Sequence, residues 1–218
     1  VSRASHALLL GLALALPACS SAAPLVAPPY FATVQDDALA LCDALEARIA
    51  SGTATTDDRA FAWQAVKRRE EETAAYAFAR AAIAGRLVQT KGLMAGELVQ
   101  EVEFWARKSR QLDPAFRGEA ATRMLGTLYA LAPGDLLQHG NAEDGIGLLE
   151  ELVKRAPDLA ENHLRLAEAL LAQGDRTGAV TPLCVALAKK ASLRADEQRL
   201  ADKLHDDAGK PACPAAAP

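Results

Sequence analysis

An all-α fold is what this sequence predicts, on three observations. Between residues 34 and 208 no run alternates apolar and polar side chains with β-branched enrichment, the pattern a half-buried strand needs. Apolar residues, half of the chain, recur instead at three- and four-residue spacing between well-placed breakers. Finally, Gly140, Gly145, Leu149 and Leu152 are matched by Gly174, Ala179, Leu183 and Ala186, each 34 residues later. That offset is the tetratricopeptide period. The expected architecture is therefore a tetratricopeptide-like α-solenoid, whose helical hairpins are each too small to bury an apolar face without a neighbour.

The helices are bracketed in order by their stop signals. A first spans about 34–50, turns Leu39, Leu41, Leu45 and Ile49 inward and ends at Ser51-Gly52. Thr55-Thr56-Asp57 supplies N-cap chemistry for a second helix carrying Phe61, Ala62, Trp63 and Val66. The charged run 67–73 then interrupts the apolar stripe, and it reads equally as a solvated stretch of one long helix or as a junction between two. The stripe resumes at Tyr76, Phe78, Ile83 and Leu87 and stops at Lys91-Gly92. A helix over 93–112 follows and breaks at Asp113-Pro114, because proline bars the preceding residue from the helical region. Residues 115–132 form the next, closed by Pro133-Gly134. The insertion 133–140 lengthens one interhelical loop, and helices near 142–156, 159–173, 176–190 and 193–207 complete the body. Pro182 falls inside one of them and is expected to delete a backbone hydrogen bond and kink or delay that helix.

The ends have a different composition. Arg3, an apolar run from Ala7 to Leu16, and Leu16-Pro17-Ala18-Cys19 resemble a bacterial lipoprotein signal, with residues 1–18 removed and Cys19 lipidated. The apolar run is well short of the roughly 20 residues that cross a bilayer. Residues 19–33, rich in Ser, Ala and Pro, read as a lipidated tether, 34–208 as the helical domain, and 209–218 as a Pro/Ala-rich tail. Ser20 and Ser21 after the cysteine resemble lipoproteins sorted to the periplasmic face of the outer membrane in a Gram-negative host. A net charge of −4 gives no electrostatic footprint for a phosphate backbone, so nucleic acid is not an expected partner.

The segment Arg123-Met-Leu-Gly126-Thr-Leu-Tyr129-Ala-Leu-Ala-Pro133-Gly134, a loop to Gly140, and Pro157-Asp158-Leu-Ala-Glu-Asn162-His163 resemble the periplasmic T-component of tripartite ATP-independent periplasmic (TRAP) transporters. The resemblance covers roughly 76–189 and includes Lys91-Gly92-Leu93 and Leu112-Asp113-Pro114. It implies a helical-repeat lipoprotein of the outer-membrane type, a homotrimer, and docking of an extracytoplasmic solute-binding protein. The sequence departs from that family at Arg117-Gly118-Glu119-Ala120-Ala121, where a glycine-rich run is usual.

No His-Glu-x-x-His, Gly-x-Ser-x-Gly, phosphate-binding glycine loop or Cys-x-x-Cys occurs, so no catalytic residue, metal or cofactor is expected. His139, His163 and His205 stand on different elements and read as surface or packing residues. Among the remaining cysteines, Cys184 and Cys213 either pair, stapling the tail to the last repeat, or stay free beside Cys42; spacing alone leaves both open. All aromatic residues lie at or before Tyr129. At helical spacing most are expected in the core. The functional alternative is a groove for a small apolar or acidic ligand formed by Trp63, Tyr76, Trp105, Arg123 and Tyr129, with Arg123 as its cation. The expected function is an accessory role in solute uptake through protein partners. The alternative is an envelope-assembly scaffold with no solute-handling role.

Overall fold

The computed structural model describes residues 26–92 and 95–213. The expected signal sequence and the lipidation site Cys19 lie outside these residues. Among them are nine α-helices and no strand: α1 (Ala38–Ala50), α2 (Thr56–Val66), α3 (Ala74–Lys91), α4 (Gly96–Leu112), α5 (Phe116–Leu131), α6 (Ala142–Arg155), α7 (Ala160–Ala172), α8 (Arg176–Ala188) and α9 (Ala195–Asp207). No helix among the described residues is long and apolar enough to cross a membrane.

Helix starts follow local chemistry. Asp37, Thr73 and Asp175 each accept a backbone N–H of the first turn with their side chains. Thr55 with Asp58, and Asn141 with Asp144, close reciprocal capping boxes that satisfy donors left over at the helix ends. The charged run 67–73 is the junction between α2 and α3, not part of one long helix. Pro182 gives up one bond in the second turn of α8, yet the helix starts at Arg176 and runs unbroken to Ala188. The first helix starts four residues later than its periodicity suggests, because residues 29–36 form turns. These turns are not free tether: Phe31 is fully buried and stacks on Phe61, and Tyr30 donates to Asp58 at 2.5 Å.

Sequence neighbours pack as hairpins, most extensively α3 on α4, α5 on α6 and α7 on α8. At the α5–α6 crossing the backbones nearly touch. A Cβ on Gly145 would lie 2.6 Å from the Gly126 carbonyl and 2.7 Å from the Ala130 nitrogen. The repeated positions Gly145, Leu149 and Leu152 on α6 and Ala179, Leu183 and Ala186 on α8 are all buried. One apolar cluster gathers Phe31 with residues of α1–α5, a second joins α7, α8 and α9, and a third, around Leu149 and Leu152, bridges α5, α6 and α7.

The last helix returns to the first. Arg194, at the start of α9, bonds Glu46 of α1 at 2.9 Å, Asp196 receives Arg86 of α3 at 3.3 Å, and Arg199 donates to the Ile49 and Ala50 carbonyls. Neither of the apolar clusters flanking this seam extends across it. The array is thus closed by polar contacts. A disulfide between Cys184 and Cys213, with Cα atoms 5.2 Å apart, ties the chain beyond α9 back to α8.

Candidate functional site

Inside the closed array lies a groove of about 610 Å³, in the range that encloses a small organic ligand. Helical periodicity builds its walls. On α3, Phe78, Ala82, Gly85 and Gln89 recur every three or four residues, and on α5 Ala120, Met124, Thr127, Leu128 and Leu131 do the same, so each helix turns one stripe inward. Val99 and Val102 of α4 continue the apolar wall. Pro133 and Leu136 bring the inserted loop against it.

That loop is fixed by a buried carboxylate. Glu103, 1% exposed, accepts from the backbone nitrogens of Gln138 and His139, both at 2.8 Å, and from the Tyr129 hydroxyl at 3.1 Å. A buried acceptor with three donors has its desolvation offset. Burial, then the neighbouring Glu103 charge, pushes the Tyr129 hydroxyl up to about 12.

The remaining lining is ionic. Arg86 forms a two-pronged bond to Glu46 at 2.7 and 2.6 Å, Arg117 another to Asp43 at 2.6 Å on both prongs, and Arg165 bridges Glu168 and Glu197. Arg194 pairs with Glu46 and Glu197. Arg123 meets Glu161 at 2.9 Å and the Asn162 amide oxygen at 2.9 Å. Burial opposes the charge on Arg86, but the Glu46 bonds more than compensate and hold it protonated; at Arg123 burial prevails and its affinity for the proton falls. Cys42, the free cysteine among the described residues, also lines the groove, and burial pushes its thiol well above the usual range.

Beside the groove the chain makes an unusual turn. Arg117, Gly118 and Glu119 all adopt left-handed backbone, with φ of 50°, 60° and 61°. A non-glycine residue in this region costs on the order of 1–2 kcal/mol. Both such residues are held by bidentate ion pairs, Arg117 to Asp43 and Glu119 to Arg155 at 3.0 and 2.8 Å. Arg123 donates to the Gly118 carbonyl from below.

Of the five residues expected to form a ligand groove, only Arg123 lines it. Trp63, Tyr76 and Trp105 do come together, but as packing. Trp63 donates to Glu101 at 2.9 Å, Glu101 also accepts from Arg80, and Arg80 reaches the Tyr76 hydroxyl at 3.0 Å and lies over the Trp105 ring. Tyr76 and Trp105 meet edge to face at 5.4 Å. Tyr129 serves the loop clasp. Trp63, Tyr76 and Trp105 are drawn into contacts between α2, α3 and α4, while Phe78 is the aromatic side chain that lines the groove. The alternating stripes of α3 and α5 could have marked it in the sequence, but its charged end is assembled from residues as distant as Glu46 and Arg194. His163 and His205 each contact a backbone carbonyl, of Pro157 and Pro211, as packing residues do. Compared with protein-family models and with curated proteins, the sequence matches none.

Proposed function

We propose that this chain is a lipid-anchored helical-repeat protein of the periplasmic face of the outer membrane, an accessory subunit of a TRAP-type solute uptake system that docks the solute-binding protein. The observation that carries this reading is the groove. A cavity of about 610 Å³ walled by α3, α4 and α5 and finished by arginine-carboxylate pairs is a binding surface rather than a packing defect. The 34-residue spacing of buried positions on α6 and α8 supports the tetratricopeptide-like description. The resemblance to the T-component supplies the partner.

Crosslinking in the native host, with the full lipidated protein as bait and mass spectrometry of what is captured, tests the role. Enrichment of one solute-binding protein is the expected result. Capture of outer-membrane assembly or peptidoglycan factors without it would replace the uptake role with the scaffold.

A further inference from the structure

The chemistry of the groove divides sharply. Phe78, Val99, Val102, Met124, Leu128 and Leu136 offer an apolar surface, with Gln89 and Thr127 the uncharged polar side chains beside it. The polar end offers many charges but no unengaged cation. Arg86, Arg117, Arg123, Arg165 and Arg194 each have a carboxylate oxygen at 2.9 Å or closer. Their partners are Asp43, Glu46, Glu161 and Glu197 of the groove lining, with Glu168 and Asp196 outside it, so every one of the five guanidiniums is paired.

An incoming carboxylate would have to displace a protein carboxylate from a partly buried arginine, leaving that group uncompensated. A free cation would meet guanidiniums already turned toward the same oxygens. A hydroxyl, amide or other uncharged head costs neither exchange, since it can hydrogen-bond to the outer lone pairs and N–H groups of the existing pairs.

We propose that the groove binds a small amphipathic molecule whose apolar chain or ring lies along α3, α4 and α5 and whose polar head carries no net charge. The proposal rests on reading the groove as the binding surface of the uptake role, and it names the class of compound that surface takes. Selectivity then comes from two sources. Tail length sets affinity through apolar burial, and the self-compensated arginine cluster excludes simple organic anions.

The test uses N-phenyl-1-naphthylamine as a neutral fluorescent probe on the full-length protein, displaced by alkyl compounds kept below their micellar concentrations. Decyl glucoside is expected to displace the probe roughly fifteenfold more tightly than octyl glucoside, from two added methylenes. Decanoate and decyltrimethylammonium should each be at least about tenfold weaker than decyl glucoside, the cost of disturbing one ion pair. A Cβ at Gly85 would meet only Val102, at 3.8 Å, so Gly85→Leu extends into the groove and should reduce probe affinity at least about tenfold. Met124→Trp fills the same space from α5 and serves if the first variant does not fold; circular dichroism checks both.

Equal or tighter displacement by decanoate or by decyltrimethylammonium overturns the proposal. So does probe binding that survives in both filled variants, or no probe binding to the unmodified protein. The crosslinking result is independent: capture of a solute-binding protein by a chain that fails these binding tests leaves the uptake role standing without this ligand. Binding as described, with no such capture, supports the ligand and removes the role.

Discussion

Glu46 on α1 and Arg194 at the start of α9 are 148 residues apart in the chain and 2.9 Å apart in the fold. With Arg86–Asp196 and the two carbonyls that receive Arg199, this contact forms a polar seam joining the ends of the array. The Arg194–Glu46 pair, with Arg194 40% exposed, is of the kind that contributes about 0.2–1 kcal/mol and weakens as salt rises, whereas Arg86 and Asp196 are mostly buried. Opening of the groove is therefore expected first at the seam, and Cys42, which lines the groove, is a native reporter.

Replacing Arg199 by alanine removes the donors to the Ile49 and Ala50 carbonyls from the seam without touching Asp43, Glu46, Arg86 or Arg117, the charges that act on the Cys42 thiol. Alkylation of Cys42 by N-ethylmaleimide is expected to accelerate roughly fivefold, and to accelerate with salt in the unmodified protein. Lys190→Ala, which breaks the exposed Lys190–Asp202 pair elsewhere, should leave the rate unchanged. Equal rates in all three proteins would show that the seam does not control access.

Glu103→Ala leaves the amides of Gln138 and His139 without their buried acceptor. Urea denaturation should show a loss of about 3 kcal/mol. Hydrogen exchange at those two amides should rise first, because the loop loses its fastening before the helices lose their packing. A protected loop in the variant would mean that the apolar contacts of Leu136 and Leu137 suffice.

The Tyr129 hydroxyl gives a pH signature. Its ordinary value near 10 is raised to about 12 in the fold, since burial and Glu103 both oppose the phenolate. The unfolded chain therefore loses this proton first as pH rises. The stabilisation is fully present below pH 10 and declines between about 10 and 12, by on the order of 2 kcal/mol. Denaturation midpoints of Tyr129→Phe and the unmodified protein, compared across that range, should converge as pH increases; a constant difference would contradict the assignment.

Cys213→Ser opens a loop closed over 29 residues, which in the chain-entropy account lowers stability by about 3.6 kcal/mol. The loss should concentrate in α8 and α9, and hydrogen exchange resolved by peptide would locate it. An exchange increase spread evenly over α1–α5 would be inconsistent with the separate apolar clusters.

Gly145→Ala and Gly147→Ala differ by two positions on α6 and should act in opposite directions. A Cβ at Gly145 strikes the backbone of α5, and forcing the helices apart costs about 1–3 kcal/mol. A Cβ at Gly147 meets nothing within 4 Å, so relief of backbone entropy should stabilise by up to about 1 kcal/mol. Thermal unfolding of the two variants measures both signs.

Sequence patterning revealed the helices because their causes are local. Asp113-Pro114 ends α4, Thr55 caps α2, and the last four helices fall within two residues of their expected limits at every end. Burial of Phe31 was not legible, since a Pro- and Ala-rich stretch reads as tether whether or not one ring in it finds a cavity. Among the site residues, Arg123 could be chosen as a cation near aromatic side chains. The expected aromatic companions could not be sorted in advance between core and groove, since helical spacing is the same for both. The left-handed turn at Arg117 and Glu119 was hidden for another reason. Its strain is supported by Asp43 and Arg155, 74 and 36 residues away.

The closed seam also sets an order of folding events. Hairpins such as α3–α4 and α7–α8 form from neighbours along the chain and need little loop closure, whereas α1 can meet α9 only after almost the whole chain has been drawn together. Contacts that form last belong to the native side of the barrier and govern how long the native state survives. Arg194→Ala is therefore expected to speed unfolding while leaving the folding rate nearly untouched, which stopped-flow unfolding and refolding rates measure.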